Sequence, residues 1–179
     1  MIQRTQCTFR YLLSERGILL ILDFVNLDRK MKDAEWLLRR REYCLMQRFE
    51  NYCLNLEVLS RAEQEDLANE FIVSGIIYKF FIQFELSWKV LKELMRYEGR
   101  SIINTESPRE IIKAAYAVYD FLEEEPWLSM LRVRNDRPDL YDAEAAKAML
   151  EKILKSYIPA FLRLKEGIEE YYGETIYKL

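Results

Sequence analysis

From residue 45 onward, apolar side chains return at intervals of four and three. Leu45, Phe49, Tyr52, Leu56 and Leu59 form one such stripe, the spacing that keeps a side chain on one face of an α-helix. Ile77, Phe81, Phe84, Trp88, Leu91 and Met95 repeat it, as do Ile111, Ala115, Val118 and Leu122, and then Met149, Ile153, Tyr157, Ala160 and Leu164. A helix with one apolar face must bury it against another helix, so several in series predict a bundle. Breakers are scarce: 5 glycines and 4 prolines in 179 residues, a composition that disfavours sandwiches and barrels. The expectation is an all-α, antiparallel up-and-down four-helix bundle with an additional short helix. Residues 1–30 lack a clear helical period; residues 1–40 are read as an N-terminal extension, residues 41–172 as the bundle, and residues 173–179 as a tail.

Local signals place the elements. The second helix is expected from about Glu65 to Glu98, with Gly75 a candidate break and Gly99 the C′ stop. Ser107, Pro108 and Glu110 read as N-cap, N1 and the reciprocal member of a capping box. That third helix is expected to end at Glu123–Pro126, followed by a short helix from Trp127 into Arg134 and a break forced by Pro138. Asp142 reads as the cap of the last helix, which Pro159 is expected to kink.

Chemistry is bounded by what the chain lacks. Its 179 residues include no histidine, which removes the commonest general base near neutral pH and the commonest zinc ligand. No GxxxxGK[ST] or GxGxxG sequence occurs, so the glycine-rich phosphate cradles are absent. Glycine is followed only by Ile, Arg or Glu, so the Gly-Ser pair of a nucleotidyltransferase catalytic domain is missing too. No metal site is expected. Cys7, Cys44 and Cys53 are odd in number; Cys44 and Cys53 on one helix would stand roughly 13 Å apart, too far for a disulfide. This favours a reducing, cytoplasmic setting. The aliphatic run Ile18–Leu22 is too short to span a bilayer, so no membrane association is expected. Residues 1–50 carry a net charge of +3 and the remainder −6; interspersed acidic residues make the basic clusters solvated helix faces.

Two segments carry residues that packing alone does not call for. In Phe80-Phe81-Ile82-Gln83-Phe84-Glu85-Leu86-Ser87-Trp88-Lys89, helical spacing sets Glu85, Trp88, Lys89 and the following Lys92 on neighbouring turns. The run Trp127-Leu128-Ser129-Met130-Leu131-Arg132-Val133-Arg134-Asn135 ends a helix with Arg134 and Asn135, and Asp139 and Tyr141 follow in the next loop. With Ser107-Pro108-Arg109-Glu110 between them and Tyr157-Ile158-Pro159-Ala160 after them, these segments resemble the nucleotidyltransferase substrate-binding protein family over about residues 42–170. That family lies in the HEPN superfamily and is similar to the helical C-terminal domain of kanamycin nucleotidyltransferase.

The resemblance implies a non-catalytic subunit that binds nucleotide or a small-molecule acceptor for a separate small nucleotidyltransferase chain, as in toxin–antitoxin-like pairs. It implies contacts from Glu85, Trp88, Lys89, Arg134 and Asn135. Mg and ATP or another NTP would enter with the partner, this chain alone holding no cofactor, and homodimers are expected. Ribonuclease-type relatives carry an R-x(4-6)-H active site; here Arg134 matches the arginine, but Asp139 stands in the histidine position. An ordinary aspartate is a weak base at neutral pH, so RNA cleavage is disfavoured and no catalytic residue is assigned. Tyr141 keeps the position at which such relatives accept AMP, and its competing role is to close the loop. The alternatives are a HEPN-type ribonuclease toxin with a degenerate site and a purely structural dimerisation bundle.

Overall fold

A computed structural model describes residue 36 and residues 39–100, 107–136, 142–173 and 176. The chain divides into Met1–Leu38 and Arg39–Leu179, and the helices described here lie in the second unit. Apart from Trp36, Arg39 and Arg40, the expected N-terminal extension of residues 1–40 falls outside the described residues.

The first helix, α1, covers residues 39–59. Its predicted stripe is the buried one: Leu45, Phe49, Tyr52, Leu56 and Leu59 are all at most 1% exposed. A 3₁₀ turn at Ala62–Gln64 leads to α2, Glu70–Tyr97. The second helix therefore starts five residues later than Glu65, because side chains compete for the backbone there: Asp66 accepts from the Ala68 N–H, and Asn69 caps the helix by accepting from the Phe71 N–H. Such Asx contacts favour turns and caps over helix interiors. Gly75 does not break α2. Gly99, at φ 72°, ends it as predicted: Gly99 N–H bonds the Arg96 carbonyl and Arg100 N–H the Met95 carbonyl, each at 3.0 Å, the paired bonds of a Schellman stop.

The expected order of a longer third helix and a short one from Trp127 to Arg134 is reversed: α3, Pro108–Tyr116, is the short helix, and the longer one follows it. Ser107 stands at its N-cap with Pro108 at N1, but the Ser107 side chain makes no capping bond, so that half of the expected capping box is not formed. The helix stops at Tyr116 rather than near Glu123, and α4 runs from Glu124 to Asp136. Pro126 thus lies inside the first turn of α4, where a missing N–H costs nothing. Then α5, Ala143–Lys152, opens on the predicted cap, Asp142 accepting from the Glu144 N–H at 3.0 Å. It passes through a π-helical turn, Ile153–Tyr157, into α6, Ile158–Tyr172. The irregularity expected from Pro159 takes that form: the wider turn sits just ahead of the proline, where the ring would crowd a regular helix.

Cross-helix partners establish the topology. Arg48 pairs with Glu93, and Asn55 with Gln83, so α1 and α2 are antiparallel. Trp127 packs edge-on against Phe161 while Ser129 meets Tyr157, so α4 runs antiparallel to the π turn and α6. Phe80 stacks on Tyr157 at 5.0 Å and Tyr97 meets Tyr172, so α2 and α6 are parallel. The sequence of directions is up, down, up, down.

Phe80, Tyr157, Phe161 and Trp127 form the centre of the core, each at most 2% exposed; side chains of this size contribute roughly 1.5–3 kcal/mol each on full burial. A polar ladder crosses it. Asn55 Nδ2 donates to Gln83 Oε1 at 2.7 Å, Gln83 Nε2 to the Tyr52 carbonyl at 3.3 Å, and Tyr52 O–H to the Phe161 carbonyl at 2.6 Å. Partnered this way, buried amides fix register between α1 and α2 without leaving an orphan group. By length and composition α2 would also cross a bilayer; here its apolar face packs in the bundle, with Gln83, Lys92 and Glu93 buried among it. Phe81 is only half-buried, since the inward face at that level belongs to Phe80 and Phe84.

Candidate functional site

The C-terminal end of α4 reaches α2 at Glu85. Glu85 lies on the flank of α2 that leaves the core, one turn before buried Trp88, and Arg134 lies in the last turn of α4. Glu85 Oε1 accepts from Arg134 Nε at 3.1 Å, joining residues 49 apart in sequence. Its other oxygen, Oε2, accepts from the Trp88 indole N–H at 3.0 Å and stands 4.0 Å from Lys89 Nζ. Arg134 Nη1 donates to Asn135 Oδ1 at 3.3 Å, and Lys89 Nζ lies 5.5 Å from the centroid of the Trp88 ring, within cation–π reach. All five residues singled out for binding therefore meet in one cluster.

One carboxylate holds two cations, leaving a net charge of +1. The side chains of Glu85, Lys89 and Arg134 are 35–40% exposed, so water screens the pairs and each is worth under about 1 kcal/mol to the fold. That balance suits a site: the cations are held in place yet open to a ligand. A guanidinium fork matches phosphate or carboxylate oxygens in pairs, and an ammonium adds an unoriented charge.

Lys92 lies two turns beyond Glu85 along the same face of α2 and, unlike Glu85 and Lys89, is buried, at 5% exposure. Asp139 and Tyr141 fall outside the described residues. One contact was not anticipated: Ser129 Oγ and Tyr157 O–H lie 2.9 Å apart and tie α4 to the π turn, fixing the helix whose last turn carries Arg134. A hydroxyl in an otherwise apolar run and a tyrosine beside a helical proline were the only signals for it.

The cluster forms an open wall. A cavity of about 130 Å³ lies elsewhere, between α3 and α4, lined by Ile112, Tyr116, Leu122 and Trp127, and a wider groove of about 560 Å³ runs between α1 and α6 beside Cys53, Leu54 and Leu162. Burial pushes the Cys53 thiol up to about 11, so it stays protonated and unreactive at neutral pH. Among the described residues, no three acidic or cysteine side chains gather as a metal-holding group.

The model of the family described as "Nucleotidyltransferase substrate binding protein like" matches residues 46–170. The match runs from α1 to α6 and takes in every member of the Glu85 cluster. No curated protein matches the chain. With well over half its length matched, the chain belongs to the nucleotidyltransferase substrate-binding protein family.

Proposed function

We propose that this chain is a non-catalytic subunit of a two-component nucleotidyltransferase, binding nucleotide or acceptor for a separately encoded small transferase chain. The observation that carries the reading is the Glu85 cluster, with Lys89 and Arg134 solvent-accessible beside Trp88, in a chain whose family is named for substrate binding. The partner would supply the metal-binding carboxylates and, with Mg and ATP or another NTP, the transfer chemistry. This chain would supply one wall of the cleft. Arg134 and Asn135 would contact a phosphate or the acceptor, Lys89 would add charge, and Glu85 and Trp88 would shape the surface. Holding two reactants in line accounts for several kcal/mol of barrier without any covalent step.

In this reading the chain works in the cytoplasm, pairs with itself, and belongs with HEPN-type partners of minimal nucleotidyltransferases, as in toxin–antitoxin-like pairs. Tyr141 would be an acceptor for AMP delivered by the partner. The test is co-expression with a neighbouring transferase chain that carries Gly-Ser and Asp-x-Asp. A stable complex is expected, in which Arg134→Ala weakens substrate affinity at least tenfold and leaves the complex intact. Absence of a complex, together with transferase activity that does not respond to this chain, would overturn the proposal.

A further inference from the structure

Two helix faces converge on the cavity between α3 and α4. Ile112, Lys113 and Tyr116 come from α3, Glu124 and Trp127 from the first turn of α4, in each case at the spacings that make neighbours on one side of a helix. With Leu122 they form a pocket that is apolar below and charged at its mouth. Ile112, Leu122 and Trp127 are at most 4% exposed, whereas Lys113, Tyr116 and Glu124 are open to solvent.

Volume sets the size of what fits. About 130 Å³ is close to the room a six-membered ring takes in an apolar cavity and well short of what a drug-sized molecule needs. The mouth sets the charge. Lys113 and Glu124 line the same cavity from different helices yet do not pair with each other, and neither has a hydrogen-bond or ion-pair partner among the described residues. One ammonium and one carboxylate are thus left open beside an apolar recess that holds a single ring or branched side chain.

We propose that this cavity binds a free apolar α-amino acid, aromatic or branched. Its side chain enters between Ile112, Leu122 and Trp127, its carboxylate meets Lys113, and its ammonium meets Glu124. A zwitterion with an apolar body matches recess, cation and anion together, while a simple anion or cation leaves one of the two charges at the mouth unmatched. Arg134 lies two turns beyond Trp127, about 10 Å along α4, so a ligand here is separate from one at the Glu85 cluster and neither site depends on the other. A ligand of amino-acid size is expected to dissociate on the order of 1 mM.

Titration of the isotopically labelled full chain with L-phenylalanine, followed at the tryptophan indole N–H signals by NMR, tests it. The Trp127 signal is expected to shift saturably while that of Trp88 stays in place. Hydrocinnamate, which lacks the ammonium, and phenylalanine amide, which lacks the carboxylate and stands in for a peptide N-terminus, are each expected to bind about threefold more weakly, the effect of one exposed ion pair. Variants at the mouth cross over: Lys113→Ala weakens L-phenylalanine and leaves the amide unchanged, whereas Glu124→Gln weakens L-phenylalanine and leaves hydrocinnamate unchanged. Both side chains are exposed, so the melting temperature is expected to hold. Absence of a saturable Trp127 shift at about 20 mM overturns the site. Equal affinity for the amino acid and either analogue, or for the wild type and either variant, overturns its assignment to an amino acid.

Discussion

Tyr52→Phe isolates one strut between α1 and α6 and gives it a pH signature. The Tyr52 hydroxyl is fully buried and donates to the Phe161 carbonyl at 2.6 Å, across 109 residues of chain. Removing the oxygen deletes that bond, leaves the ring packing unchanged and strands no donor, so the expected cost at pH 7 is about 1 kcal/mol. For a bundle of this size that is a fall in Tm of about 3 °C. Burial drives the Tyr52 phenol well above its ordinary range, against the smaller lowering effect of Gln83. The native state therefore keeps its proton where the unfolded chain, titrating near 10, has lost it. Stability from this group is fully present below pH 10 and falls above it, by about 1.4 kcal/mol per pH unit. Phenylalanine has no such loss. Chemical denaturation at pH 7 and pH 11 should show the variant about 1 kcal/mol weaker at neutral pH and level with the wild type at about pH 11. A gap that is absent at pH 7, or that widens with pH, would refute the assignment.

Gly167 is buried on α6, and a Cβ there would stand 2.6 Å from Phe121 Cβ, so Gly167→Ala should cost about 1–3 kcal/mol through overpacking, read as a drop in Tm. Asp142→Ala removes the α5 cap and should cost about 1 kcal/mol in the same measurement. Glu85→Gln should change stability by less than about 1 kcal/mol, because its pairs are water-screened, while altering Trp88 fluorescence through the indole contact; a loss above 2 kcal/mol would make Glu85 a structural residue instead.

The helical stripes were legible because burial depends on a period that local sequence carries: every residue of the Leu45–Leu59 and Met149–Leu164 stripes is buried. Asp142 and Gly99 were legible for a related reason, since their partners lie within a few residues. The start of α2 was not, because Asp66 and Asn69 offer the backbone an alternative that outweighs a continuing helical pattern. Pro126 misled in the opposite sense, reading as a stop where it occupies a first turn. At the site, each residue type was visible, but the Glu85–Arg134 pair depends on how α2 and α4 cross. Gly167 is the same case: its need for a missing side chain comes from Phe121, 46 residues earlier in the chain.

In the proposed function, the wall built by Glu85, Lys89 and Arg134 contacts the substrate. Isothermal titration of ATP with Mg into the purified complex of this chain and its transferase tests it most directly. Arg134→Ala should weaken binding at least tenfold, about 1.4 kcal/mol or more, with the complex and its melting temperature essentially unchanged; identical affinity for wild type and variant, across both nucleotide and acceptor titrations, would show that Arg134 makes no contact with substrate.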